Sequence, residues 1–298
     1  MQLFHALLLG LALSSPVSAM YRCGNENATL FPPPPVDTSE LSMRTQQTYP
    51  PPPPIQLVIH VVATSKRRED GYISEEDIAQ QVQIIRDAFR PTGITFNHTH
   101  NHWIVTKAWS FDGLGSEELD SRRVDTYRAI QSTLHVGDQS TLNLYFCDLK
   151  DDILGGFCTS PWSHAGSLDG CVINQKAAPG GGLDYFNQGK VAVHEIGHWL
   201  GLMHTFQTED PYEPCSPADP DDHVLDTPKM NLDAYPRGGN CDQEWDTCPN
   251  SSGKDPVHNY MSYVKDECMT EFTNGQALRM YQMWAKTRAP GAQSRSQD

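Results

Sequence analysis

Between residues 55 and 298 the apolar positions fall into distinct rhythms. Ile55-Gln56-Leu57-Val58-Ile59-His60-Val61-Val62-Ala63 is apolar and β-branched almost without a break, the pattern of a strand covered on both faces. It predicts the first strand of a folded domain. Ser74-Glu75-Glu76-Asp77 then offers an N-cap and an acidic first turn, and Ile78, Val82, Ile85 and Phe89 recur at helical spacing. A helix that stops at Pro91 follows from this. A strand followed by a helix implies a crossover to a second strand, read at Ile94 to His98. Further strands are read at Trp103 to Trp109, Thr141 to Leu149 and Gly170 to Asn174. After Gly180-Gly181-Gly182 the pattern predicts a helix from about Phe186 to Leu202. From Pro211 to Pro256 the chain is dominated by Pro, Asp, Asn, Gly and Cys without periodicity, so no apolar face holds it, and disulfides and a bound cation are the available means. Thr273 to Lys286 closes the domain as a helix with Ala277, Met280, Tyr281 and Trp284 on one side.

Composition adds a compartment. Residues 1–19 read as a secretory signal: Leu3 to Leu13 is apolar and Val17-Ser18-Ala19 is small before a cut, although no Lys or Arg precedes the run. The run is too short to span a membrane, and no later stretch reaches about 18 uninterrupted apolar residues. Pro32 to Pro35 and Pro50 to Pro54 bracket a polar stretch, so residues 20–54 are read as a Pro-rich propeptide or linker ahead of a catalytic domain at 55–298. Eight cysteines in an exported chain imply disulfides, and Asn27, Asn97 and Asn250 open Asn-x-Ser/Thr sequons suited to that route. With 22 Lys and Arg against 37 Asp and Glu the chain carries a formal charge of -15, which argues against nucleic acid or an anionic membrane as partner.

The chemistry concentrates in His194-Glu195-Ile196-Gly197-His198-Trp199-Leu200-Gly201-Leu202-Met203-His204. His194 and His198 stand at i and i+4, so on a helix both imidazoles leave one face. Gly201 lets the chain leave the helix and bring His204 round as a third ligand. Three protein ligands leave a fourth position open, and an all-His set favours a catalytic zinc over a structural one. Glu195 projects beside the metal as a general base.

Beyond His204, His258-Asn259-Tyr260-Met261-Ser262-Tyr263 supplies a second constellation. The long zinc motif followed by a methionine turn resembles the metzincin metallopeptidases. The zinc motif with its Thr205-Phe206 extension, Asp226-Thr227-Pro228 and His258 to Met261 look like the pappalysin family, specifically its secreted fungal and microbial, ulilysin-like members. The resemblance covers most of residues 55–289. It implies that Met261 forms an apolar floor under the histidines, a role suited to a thioether beside imidazoles, and that Tyr263 donates a hydrogen bond to the tetrahedral intermediate. It also implies Cys215–Cys248 and Cys241–Cys268 disulfides. Cys158 and Cys171 could join neighbouring strands, and eight cysteines allow many pairings. Cys23 is either a zinc-binding zymogen switch or a partner for Cys147. Asp222 and Asp226 are candidate Ca²⁺ ligands, since some relatives bind calcium after the zinc motif. Asp266 resembles an acidic residue that lines a primed-side pocket and favours Arg or Lys after the cut.

His98, His100 and His102 would share one face of a regular strand; without a carboxylate or a distant ligand they are read as a solvated face. The expected fold is α+β: a metzincin-like zincin with a twisted mixed sheet and the active-site helix in its upper half, and an irregular disulfide-braced lower half with a C-terminal helix. The expected function is a secreted, monomeric, zinc-dependent endopeptidase acting on proteins or peptides. The alternatives are an inactive zinc-stabilised binding protein, which would have no use for Glu195, and a hydrolase of a non-peptide amide.

Overall fold

The computed structural model describes residues 49–292 apart from 111–115, 151–153, 164, 209–211, 217–221 and 233–240. The proposed signal peptide, Cys23, the Asn27 sequon and all of the Pro-rich arm before Tyr49 lie outside the described residues. Strand β1 (Ile55–Ala63) is buried along almost its whole length, because it lies inside a sheet with parallel neighbours on both sides: β2 (Phe96–Val105) and β3 (Thr141–Cys147). Strands β4 (Gly156–Cys158) and β5 (Cys171–Asn174) complete the order β2-β1-β3-β5-β4. Only β4, at the edge, runs antiparallel, so the sheet is mixed as expected.

Alternating residues feed two apolar layers. Leu57, Ile59, Val61, Leu144 and Phe146 pack with Ile78, Val82, Ile85 and Phe89 of helix α1 (Glu75–Phe89) on one face. Val62, Tyr145, Cys147 and Val172 meet Tyr127 and Ile130 of helix α2 (Ser116–Leu134) on the other. The expected N-cap holds α1: Ser74 Oγ accepts the Asp77 N–H at 3.1 Å. Helix α3 (Lys190–Trp199) lies on the α1 face. Helix α4 (Asn274–Met283) starts in a Thr273/Gln276 capping box and widens into a π-turn at Trp284–Arg288.

Three local expectations are corrected. The strands expected at 94–98 and 103–109 are one strand, β2, which occupies an edge where Asn and His stay hydrated and so break the apolar rhythm. The register between β1 and β2 slips at Leu57/Val58, pairing Leu57 with His98 and Val58 with His100. Consecutive β1 residues face opposite ways, so His98 turns away from the face that His100 and His102 keep, their rings 6.2 Å apart. The helix expected over 186–202 is confined to Lys190–Trp199, because Gly189 at φ 77 and Gly201 at φ 93 end it at both sides.

Disulfides join Cys158 to Cys171 across β4 and β5, Cys215 to Cys248, and Cys241 to Cys268. Among the described residues Cys147 carries a free thiol buried beneath α2; Cys23, the partner considered for it, lies outside the described residues.

One buried histidine makes the fold acid-sensitive. His60 is fully buried and stacked on Tyr145 at 4.7 Å. Asn143 Nδ2 donates to the Val136 and Thr141 carbonyls, so Asn143 Oδ1 must be the acceptor for His60 Nε2 at 3.0 Å. Burial pushes the His60 pKa down to about 4, whereas the unfolded chain takes up this proton near pH 6.5. Between those values the unfolded state holds more protons, so stability rises with pH through the window and is lost on acidification, by on the order of 3 kcal/mol for this group. His60→Gln, which keeps a donor for Asn143, is expected to flatten the stability-versus-pH slope between pH 6.5 and 4 in denaturant titrations. An unaltered slope would refute the assignment.

Candidate active site

Helix α3 is buried on all sides and fastened at its N-terminus. Gln81 Nε2 donates to the Gly189 carbonyl at 2.9 Å, and Lys190 Nζ donates to the Asp266 and Met269 carbonyls at 2.8 Å each. Its C-terminal end is closed by a tight turn: the Gly201 N–H reaches the His198 carbonyl and the Leu202 N–H the Gly197 carbonyl, both at 2.9 Å. That turn points His204 back towards His194 and His198. His198 Nε2 lies 3.1 Å from His194 Nε2 and 3.1 Å from His204 Nε2, and the three form one candidate ligand set.

The surroundings fix which nitrogens face inward. His194 Nδ1 lies 2.7 Å from the Tyr260 carbonyl and His198 Nδ1 2.8 Å from the Leu202 carbonyl. A carbonyl only accepts, so both Nδ1 atoms carry the proton and both Nε2 atoms present lone pairs to each other. Two lone pairs at that distance repel unless a cation lies between them. Imidazole nitrogens about 2.0–2.1 Å from a tetrahedral zinc stand roughly 3.3–3.4 Å apart, close to the observed spacing. Burial pushes His198 down to about 4, and burial with its two neighbouring imidazoles holds His204 well below the usual histidine range. Neutral, ligand-competent rings are the consequence. The donor set therefore fits zinc. His204 is partly exposed while His194 and His198 are buried, which puts the open side by the third ligand. There Ser160, Trp162, Leu202, Met203 and Gln207 line a depression that reaches His198 and His204.

Glu195 is fully buried beside the ligands, and its carbonyl rests on the Cys158–Cys171 disulfide. Met261 is fully buried beneath them. Its N–H goes to Asn259 Oδ1 at 2.9 Å and its carbonyl accepts the Thr205 N–H at 3.2 Å. Asn259 and Gln276 exchange two amide hydrogen bonds, at 2.8 and 3.0 Å, so the methionine turn hangs on the capping box of α4. A Cβ at position 197 would overlap Met261 Sδ, which explains glycine inside the helix. The Tyr263 ring lies 4.8 Å from His204 and 5.9 Å from His194. Phe206, which the sequence offered only as part of the extended zinc motif and without a role, stacks on His204 at 4.7 Å and touches Tyr263 at 4.6 Å.

The other candidates lie elsewhere. Asp226 accepts the Thr273 hydroxyl at 2.7 Å and the Gly275 N–H at 2.8 Å, capping α4. Asp222 is buried and accepts the Val224 N–H at 3.0 Å. Asp266 is fully buried, and its Oδ2 accepts the Gln188 N–H at 2.9 Å, which makes it a clip between the loop before α3 and the turn after Met261. Asn97 and Asn250 are exposed.

The family model described as Pregnancy-associated plasma protein-A, Peptidase_M43, matches residues 181–285, a span that holds the histidines, Glu195 and Met261. Extracellular metalloprotease 1 of Coccidioides posadasii is 35% identical over 296 residues, covering 95% of this chain and 97% of the relative. An extracellular metalloprotease of Pyricularia oryzae is 40% identical over 238 residues, with 79% and 76% covered. Among solved structures, Tannerella forsythia mature mirolysin in complex with a cleaved peptide superposes with a TM-score of 0.60 at 25% identity, over 80% of this chain and 94% of that one.

Gly197→Ala is expected to force Met261 from its seat, lowering stability by about 1–3 kcal/mol and metal affinity at least about 10-fold. Denaturant melts and metal titration by competition check this; wild-type affinity in the variant would remove the floor role from Met261.

Proposed function

We infer the activity from membership: this chain belongs to the Peptidase_M43, or pappalysin, family, and it is a secreted zinc-dependent endopeptidase. The observation that carries the reading is the convergence of three imidazole Nε2 atoms, those of His194 and His198 with lone pairs turned inward by backbone carbonyls, on a helix that also carries the buried Glu195. When bound, zinc lowers the pKa of a coordinated water to roughly 7 and polarises the scissile carbonyl. His194, His198 and His204 hold the ion. Glu195 takes the proton from the attacking water and delivers it to the leaving amine. Its burial beside the ligands keeps that proton from bulk solvent. Tyr263, at the edge of the His204 ring, donates a hydrogen bond to the oxyanion as the carbonyl becomes tetrahedral.

A peptide substrate suits the surroundings better than a small amide. Strand β4 ends the sheet and stands against α3 through the Cys158 contact to Glu195, so an extended chain can lie along its outer side. The finer layout belongs to the same proposal: a signal at 1–19, a propeptide or linker at 20–54, and a monomeric enzyme. Zinc is the cofactor the reading requires; calcium is not, since Asp226 is already used at the head of α4.

Glu195→Gln is expected to keep zinc and fold while proteolysis of a denatured protein drops about 10²–10⁴-fold, and 1,10-phenanthroline should abolish wild-type cleavage. Unchanged turnover in the variant would sink the assignment. His204→Ala is expected to weaken zinc binding itself, read by metal content after dialysis; one zinc retained per chain would rule His204 out as a ligand.

A further inference from the structure

The bend between the second and third zinc ligands is held from the far end of the chain. A helix leaves its last carbonyls without intrahelical partners. In α3 those next to the bend are taken by two buried arginines. Arg288 Nε donates to the Trp199 carbonyl at 2.7 Å, and Arg279 Nε donates to the Gly201 carbonyl at 2.8 Å. Arg279 lies on α4 and Arg288 ends the π-turn, with exposures of 1% and 2%. Gly201 itself is at φ 93, and a Cβ there would come within 2.6 Å of Met283 Cγ on α4.

Arg288 is braced in turn. It pairs with Asp169 at 2.7 and 3.2 Å, donates to the Gln139 carbonyl at 3.0 Å and lies 3.6 Å from the Trp199 ring centre. Asp169 also accepts from Trp199 Nε1 at 3.2 Å and from Thr159 Oγ1 at 2.5 Å. Arg279 has less support: among the described residues its Nη1 and Nη2 make no hydrogen bond. Two buried nitrogens without hydrogen bonds are unfavourable, and only the field of the buried Asp222 carboxylate offsets the burial of this charge. What an apolar side chain could not supply is the bond to the Gly201 carbonyl.

We propose that Arg279 and Arg288 are positioning residues for the zinc chemistry, fixing the Trp199–Gly201 bend and through it the place of His204 Nε2. The proposal rests on the zinc endopeptidase reading. His194 and His198 ride on the helix itself, whereas His204, and the Leu202 carbonyl that orients His198, depend on the bend. Loosening either arginine contact therefore loosens His204 first and the orientation of His198 with it.

The test compares Arg279→Met, Arg279→Lys, Arg288→Met and Arg288→Lys with Ile130→Ala, a core truncation beneath α2 on the other face of the sheet. Zinc release to a chromogenic chelator, kcat and KM on a peptide, and Tm are measured for each. The arginine variants are expected to lose zinc at least about 10-fold faster than wild type and to lose kcat by a similar factor with KM within about twofold. Lysine should restore part of both, while Ile130→Ala, at an equal or greater loss of Tm, should keep wild-type zinc release. Zinc release and kcat that follow Tm alike in every variant, or that stay at wild-type values in the arginine variants, would overturn the proposal. If the Met variants do not fold, the Lys variants carry the same comparison. A wild-type enzyme that binds no zinc would instead sink the reading beneath it.

Discussion

Two backbone carbonyls, those of Tyr260 and Leu202, decide what this protein can do. By accepting from Nδ1 of His194 and His198 they force the lone pairs of both Nε2 atoms into the space between the rings. Each carbonyl is itself held. Leu202 is tied by its N–H to the Gly197 carbonyl, in the turn that Gly201 permits. Tyr260 belongs to the methionine turn, which the Asn259–Gln276 amide pair fixes to α4. The site thus draws on residues from the middle of α3 to the start of α4, and neither half of the domain builds it alone.

The sheet and the disulfides supply rigidity in different ways. In the upper half, β1 and β3 are covered on both faces, and α3 is pinned to that layer by Val191, Ile196 and Trp199. The lower half joins the same apolar core through Met230, Val257, Val264, Met269, Met280 and Trp284, and covalent links and polar caps hold the irregular chain between them. Cys215–Cys248 and Cys241–Cys268 close it, and Asp226 and Asp266 each clip a loop to a helix end or turn. Asp226 and Asp266, read from the sequence as candidates for calcium and substrate contacts, each also make a hydrogen bond within the fold.

Local pattern made some of this legible and long-range contact hid the rest. Ile55–Ala63, the Ser74 cap and the His-Glu-x-x-His spacing are governed by neighbours within a few residues, and they stand where the rhythm put them. The Cys215–Cys248 and Cys241–Cys268 disulfides and the place of Met261 were legible only through resemblance to a family, since pairing depends on how distant segments meet. Helix α2 and strand β4 escaped because one begins with a run of polar residues and the other is too short to show a period. The β-bulge opposite Leu57 is set by pairing with another strand and leaves no mark in the histidine run itself. Gln276, Arg279 and Arg288 read as ordinary polar residues of a closing helix; what they touch becomes visible only when α4 is laid against α3.

The same geometry couples the metal to the fold. Converging lone pairs are unfavourable without a cation, and each buried acceptor left so is destabilising by about 1–3 kcal/mol. Zinc reverses that term and adds a stabilisation of roughly 4 kcal/mol when free metal stands about a thousandfold above its dissociation constant. The methionine turn and the start of α4, which hold the partner of His194 in place, share in this swing. Closing loops with sequence separations of 33 and 27 residues gives each of the two lower-half disulfides a chain-entropy contribution of about 3–4 kcal/mol, comparable to what the site loses without its ion. In the metal-free chain the braces thus offset a loss of similar size.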